Sequence, residues 1–202
     1  ELVGELTMEA GGTGDGSGVL NLNNGFLVLR NSNGDLPGNS FNWALGTFVI
    51  GSGATYTATG DFIKPVFSTF TLEPNASFVA LQDFRVGNIG VLFSQGNITV
   101  HGAFVQGGDV NNYGIFTLLG TGTFTSSLFV GSGMLNIHGV CTGIRLPNCP
   151  VQLFGTYKIA AFSSAGQMSF NSFTMHPGAS FIMEIASTGF IHQPTTLSIP
   201  PG

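Results

Sequence analysis

The sequence predicts an all-β solenoid, a parallel β-helix in a single domain, and three observations predict it. The first is a period: Phe26, Phe48 and Phe70 stand 22 residues apart (48 − 26, 70 − 48), with Leu92 next in line. Tyr56, Phe78 and Val100 form a parallel series, Ala54, Ala76 and Ile98 a third, and the pairs Asp61/Asp83 and Phe62/Phe84 keep the same spacing. The second is local wording, because Thr47-Phe48-Val49-Ile50-Gly51-Ser52-Gly53-Ala54-Thr55-Tyr56 returns as Thr69-Phe70-Thr71-Leu72-Glu73-Pro74-Asn75-Ala76-Ser77-Phe78, two short strands flanking a turn. The third is composition: 31 Gly and 19 Phe against 7 % charged residues suit many short strands with tight corners and do not suit disorder. A fixed period of this length marks a repeat that buries its apolar face on its neighbours, and 202 residues at 22 per coil give about nine coils.

The same composition excludes several functions. Formal charge is −5, and Arg30, Lys64, Arg85, Arg145 and Lys158 are scattered cations, so the clustered charge that releases counterions from nucleic acid is missing. No run approaches the roughly 18 uninterrupted apolar residues of a membrane helix. A membrane β-barrel has a polar lumen, whereas both sides of many strands here carry Phe, Leu or Val. The chain opens at Glu1 with no basic-then-apolar leader, which reads as a mature or trimmed piece.

Taken in order, residues 1–17 give an edge strand and a Gly-rich loop. Leu2, Leu6, Met8 and Ala10 alternate with Glu1, Val3, Glu5, Thr7 and Glu9, and the glutamates make a charged edge that resists aggregation. The glycines at 11–18 place Asp15 one position early for a calcium-binding nonapeptide, and only once, so they read as a turn. Residues 18–190 are expected to be coils. Val19 to Leu29 turn at Asn23-Asn24-Gly25, residues 30–42 read as a longer excursion, and Trp43 closes it as a partial core plug. The stretch 92–102 returns at 129–139, displaced by 37 (138 − 101), which two shorter coils would fill. Residues 172–181 repeat 69–78, 103 later (173 − 70), and Pro194, Pro200 and Pro201 mark an extended tail over 191–202.

Asn112-Tyr113-Gly114-Ile115-Phe116-Thr117-Leu118, residues 46–54, and Gly131-Ser132-Gly133-Met134-Leu135-Asn136-Ile137 resemble the coils of right-handed parallel β-helices. They are similar to those of autotransporter-type adhesin passengers and of the wider pectin-lyase-like fold. The resemblance covers roughly residues 18 to 185 and implies a right-handed coil. That family includes surface adhesins, fibre and coat proteins, and polysaccharide lyases and hydrolases, among which fold alone does not choose.

For chemistry, the candidate catalytic residues are Asp61, Asp83 and Asp109, with Asp35 outside them. In-register rungs would bring neighbouring carboxylates to about 5 Å, a spacing suited to glycosidic chemistry. Both repeated aspartates precede Phe at a turn, though, and turn aspartates more often cap backbone amides. The paired aspartates, Gly-His-Gly and Arg-x-Lys of polygalacturonase-type helices are not intact here; His101-Gly102 and His138-Gly139 offer half of one motif. His101, His138, His176 and His192 are too scattered for a metal motif, so no metal and no cofactor are expected. Cys141 and Cys149, eight apart, are read as a disulfide closing a loop off the coil. The sequons Asn75-Ala76-Ser77 and Asn97-Ile98-Thr99, also 22 apart (97 − 75), are read as glycosylation sites on one flank. Together these point to a secreted, extracellular structural protein, a surface coat, adhesive fibre or filament subunit that self-associates and has no catalytic turnover. The alternatives are a polysaccharide-active enzyme using the aspartates and a glycan-binding module using Trp43.

Overall fold

A computed structural model of the chain describes residues 5–8, 20–22, 25–29, 33–34, 41–43, 46–64, 66–125, 128–144, 146–162 and 172–185. It is an all-β solenoid in which three parallel sheets form the three sides of each coil. Five coils have all three sides among the described residues. The first runs through Gly46–Ile50, Thr55–Ala58 and Phe62–Lys64, the second through Ser68–Leu72, Ser77–Ala80 and Phe84–Val86. The third has Val91–Ser94, Asn97–Val100 and Phe104–Gln106, the fourth Asp109–Asn112, Ile115–Leu118 and Gly122–Phe124, the fifth Phe129–Val130, Met134–Ile137 and Val140–Gly143. A sixth coil (Pro150–Leu153, Thr156–Phe162) and a seventh (Ser172–Met175, Ser180–Ile185) continue the second and third sides. At the other end Glu5–Met8 and Gly25–Leu29 extend the first side. The described coils amount to about six turns of about 20 residues, fewer and shorter than a constant 22 implies.

The shortening happens at the corners. Across the first corner, inward residues lie eight apart in the first two coils (Phe48 to Tyr56, Phe70 to Phe78) and six apart in the next three (Leu92 to Ile98, Val110 to Phe116, Phe129 to Leu135). The second side accordingly steps by 22 from Tyr56 to Phe78, 20 to Ile98, 18 to Phe116, 19 to Leu135 and 16 to Val151. The 37-residue displacement is therefore two short coils, 18 (118 − 100) plus 19 (137 − 118), as expected. Three expected neighbours are corrected. Phe78 meets Ile98, and Val100 sits beside Ala80, so the Val100 and Ile98 series slip by two. Phe26 pairs with Thr47, and it is Leu27 that meets Phe48. The 69–78 wording at 172–181 lies one side further round the coil, with Phe173 on the second side and Phe181 on the third. Each side asks for the same inward residue, corner and inward residue, so similar wording does not say which side it serves.

Strands alternate buried and outward residues, and the inward set forms one core. Phe48 and Phe70 stack 5.2 Å apart at 6°, and Tyr56 and Phe78 stack 5.8 Å apart at 10°, as equal spacing predicts. Edge-on contacts such as Phe48 with Tyr56 at 5.4 Å lock the columns to each other. Each such ring contributes roughly 1.5–3 kcal/mol of burial. The corners are closed by glycine columns. A Cβ on Gly114 would overlap the carbonyl oxygen of Gly96, and one on Gly120, Gly139 or Gly155 would overlap backbone of the coil before it.

Candidate functional site

Asp61 and Asp83 come into register at the second corner, just ahead of the paired Phe62 and Phe84. The Asp83 amide donates to Asp61 Oδ1 at 3.3 Å, the Ala103 amide donates to Asp83 Oδ1 at 2.9 Å, and Arg85 Nη2 donates to Asp83 Oδ2 at 3.2 Å. Each carboxylate thus satisfies a corner amide of the following coil. The Ala103 amide first, then Arg85, hold the Asp83 carboxyl below the usual carboxylate range. A group held ionised in this way is the opposite of a general acid, which needs a raised pKa. Asp109 opens a first-side strand and accepts from the Leu128 amide at 3.1 Å, so it caps a different corner and does not join the other two. Glu73, not singled out in the sequence, does the same work at the first corner by accepting from the Ser52 amide at 2.9 Å. Asp35 lies outside the described residues.

Beside these aspartates the second corner carries a continuous outward row. Ala58, Ala80, Val100, Leu118, Ile137, Leu153 and Met175 pair in sequence down the second side. The next residue in each coil therefore also stacks: Thr59, Leu81, His101, Leu119, His138, Phe154 and His176. Their amides hydrogen-bond to the preceding coil, from Leu81 to the Ala58 carbonyl at 2.9 Å through to His176 to the Leu153 carbonyl at 2.9 Å. Leu81 is 42 % exposed, Leu119 40 % and Phe154 38 %. His138 and Phe154 stack at 4.4 Å and 0°, Phe154 and His176 at 3.9 Å and 10°, and the Gln152 side chain holds His176 Nε2. Both faces of Phe154 are thus covered, and the row presents ring edges, which do not suit stacking on a sugar. The sequence signal for this row was the recurring dipeptide His101-Gly102, Leu119-Gly120, His138-Gly139 and Phe154-Gly155. Read as half of a catalytic motif, it marks a corner instead: an outward side chain followed by the glycine that lets the coils approach.

Asn75 sits at an exposed turn with φ of 64°, and Asn97 is exposed at the start of its strand, paired with Ser77. The shared register expected from their spacing is off by two residues, because the coil between them is 20 long, but both face out at the first corner. The cysteines depart from expectation more plainly. They are free thiols, both buried inside the coils and not on a loop off them. Cys141 packs between Gly122 and Tyr157 of the adjacent coils, and a Cβ on Gly122 would lie 2.6 Å from its Sγ. Burial pushes both thiols up to about 12, which suppresses the thiolate a nucleophile needs. Lys64 is fully buried at the third corner, its Nζ filling the space beside Gly90, and burial lowers it to about 8. Trp43 ends the strand Phe41–Trp43, and its side chain, like His192, lies outside the described residues. Among the described residues no group of three or more His, Cys, Asp or Glu gathers to hold a metal. Among them, too, no helix is long and apolar enough to cross a membrane. Compared with family models, curated proteins and solved structures, the chain matches none.

Proposed function

We propose that this chain is an extracellular structural protein, a self-associating β-solenoid subunit of a coat, adhesive fibre or filament in the manner of adhesin passengers. One observation carries the reading. Glu5–Met8 at one end, and Ser172–Met175 and Ser180–Ile185 at the other, are terminal strands of parallel sheets, each with one edge that no strand covers among the described residues. Backbone hydrogen bonds of these sheets run along the solenoid axis, so a second subunit set end to end continues them, and a heterologous contact of this kind propagates without closing. The exposed Asn75 and Asn97 fit a glycosylated outer surface at the first corner.

Negative-stain microscopy of natively purified protein tests the proposal. Filaments are expected, and removal of residues 1–10 abolishes them while circular dichroism still reports β-structure. Isolated monomers at high concentration, together with Asp83-dependent cleavage of a polysaccharide, would replace this reading with an enzymatic one. Glycopeptide mass spectrometry checks Asn75 and Asn97 separately, with glycan expected on at least one.

A further inference from the structure

The first corner sets two sequons side by side on unequal ground. Asn97 opens its strand facing outward, with Ser77 of the second coil on one flank and Ile115 of the fourth coil on the other. Across the corner, Asn112 pairs with Ser94 and Gly114 packs on Gly96, which stands Tyr113 over Gln95. The Tyr113 amide donates to the Ser94 carbonyl at 2.6 Å, and its ring packs on Phe93 at 5.3 Å. Tyr113 and Ile115 are nonetheless each nearly half exposed. We propose that these two side chains seat the first N-acetylglucosamine of a glycan on Asn97, so that the glycan lies back along the fourth coil instead of projecting from the solenoid.

The seat rests on the glycosylation reading given above and adds to it where the sugar goes. Attachment is one rung away, about 4.8 Å, so contact costs no loss of free translation and a weak apolar contact suffices to hold it. Direction follows from the neighbours. Towards the second coil lie Ser77 and the exposed turn of Pro74 and Asn75, itself a sequon, whereas towards the fourth coil lie a branched aliphatic side chain and a phenol ring. The chemistry matches as well. The first sugar carries an acetyl methyl and a face of C–H groups, which gain by covering apolar surface, while its hydroxyls stay in water or meet the exposed Gln95 amide. Asn75 differs. It occupies a left-handed turn with φ of 64°, and its neighbours at the corner are the exposed Pro74, Ser52, Gly53 and Gln95, none of them a large apolar side chain, so a glycan there stands free.

The full chain, secreted from a eukaryotic host and trimmed enzymatically to one N-acetylglucosamine per occupied site, tests this. Glycopeptide mass spectrometry first reports occupancy, and an unmodified Asn97 would remove the glycosylation of that site and this seat with it. With Asn97 occupied, nuclear Overhauser contacts are expected between the acetyl methyl of its sugar and the Tyr113 ring. N97Q is expected to lower the melting temperature by about 2–4 °C, N75Q to leave it unchanged, and the loss on N97Q to vanish in the Y113S/I115T background. An occupied Asn97 without those contacts, an N75Q loss as large as that of N97Q, or a sugar worth as much in Y113S/I115T as in wild type would each overturn the seat while leaving the glycosylation reading in place. Should Y113S/I115T fail to fold, as judged by circular dichroism, the Overhauser contacts in the wild-type protein decide.

Discussion

Lys64 is an ammonium group buried at the third corner of the coil, and its consequence is a contribution to stability that climbs as the solution turns alkaline. In the unfolded chain the amine titrates at its ordinary 10.5, in the fold at about 8. Between those values this amine holds its proton more often in the unfolded chain, so the lysine's own contribution to stability rises with pH. The burial cost is present in full below about 8 and is lifted by 10.5, on the order of 3 kcal/mol in all. Cys141 and Cys149 act in the other sense, since thiols raised from 9.0 to about 12 lend stability that is lost as pH climbs through that window. Denaturant unfolding of wild type and K64M at matched pH isolates the lysine: the difference in their stabilities should change steadily between about 8 and 10.5 and level off outside it. Glycine supplies the other residue-scale expectation. G139A drives a methyl into the backbone of Gly120 and should cost about 3 kcal/mol or more, whereas G178A, with open space around it and φ of 84°, should cost about 1–2 kcal/mol for its left-handed backbone alone. Thermal melting of the two variants compares clash with conformation directly.

At the scale of the strand and its corner, the register of the side chains outlasts the length of the loop. The first corner uses eight residues or six between inward positions in the five complete coils, a change of two that keeps every later side chain on its face, whereas the third corner takes up an odd change, seven residues from Gly122 to Phe129 against six from Phe104 to Val110. Deleting Pro74 and Asn75 together should therefore be tolerated, converting the second coil to the corner used by the third. Deleting Asn75 alone would turn Phe78 and Ala80 outward and lower the melting temperature several-fold more. The same parity explains what was legible in the sequence. Phe48 over Phe70 and Asp61 over Asp83 could be read because those coils share one length. Ile98 and Val100 could not be assigned to their partners, since either alignment buries both.

For the molecule as a whole, each coil touches only its neighbours, so protection should grade along the axis. Native-state hydrogen exchange is expected to be slowest at amides of the second to fourth coils, such as Phe84, Ile98 and Phe116, and progressively faster towards both ends. A single uniform rate for all coils would contradict that picture. Fold was legible here because it depends on period, which one chain displays to itself. The outward row at the second corner was not, because its members lie 16 to 22 residues apart at unequal steps and differ in type, and only the register of the second sheet lines them up. Likewise, spacing alone could not tell a cysteine pair on a loop from two thiols facing inward.

Hydrogen bonds directed along the axis also decide how the protein meets tension. A pull on the two ends loads the coils in series, so that the outermost ladder opens before the next one bears any greater share. Extension should proceed as a run of small steps at modest force. In the complete coils each would release 18 to 22 residues, a contour gain of about 60–75 Å. The solenoid would behave as a ratcheting tether that lengthens coil by coil and shortens again when slack returns.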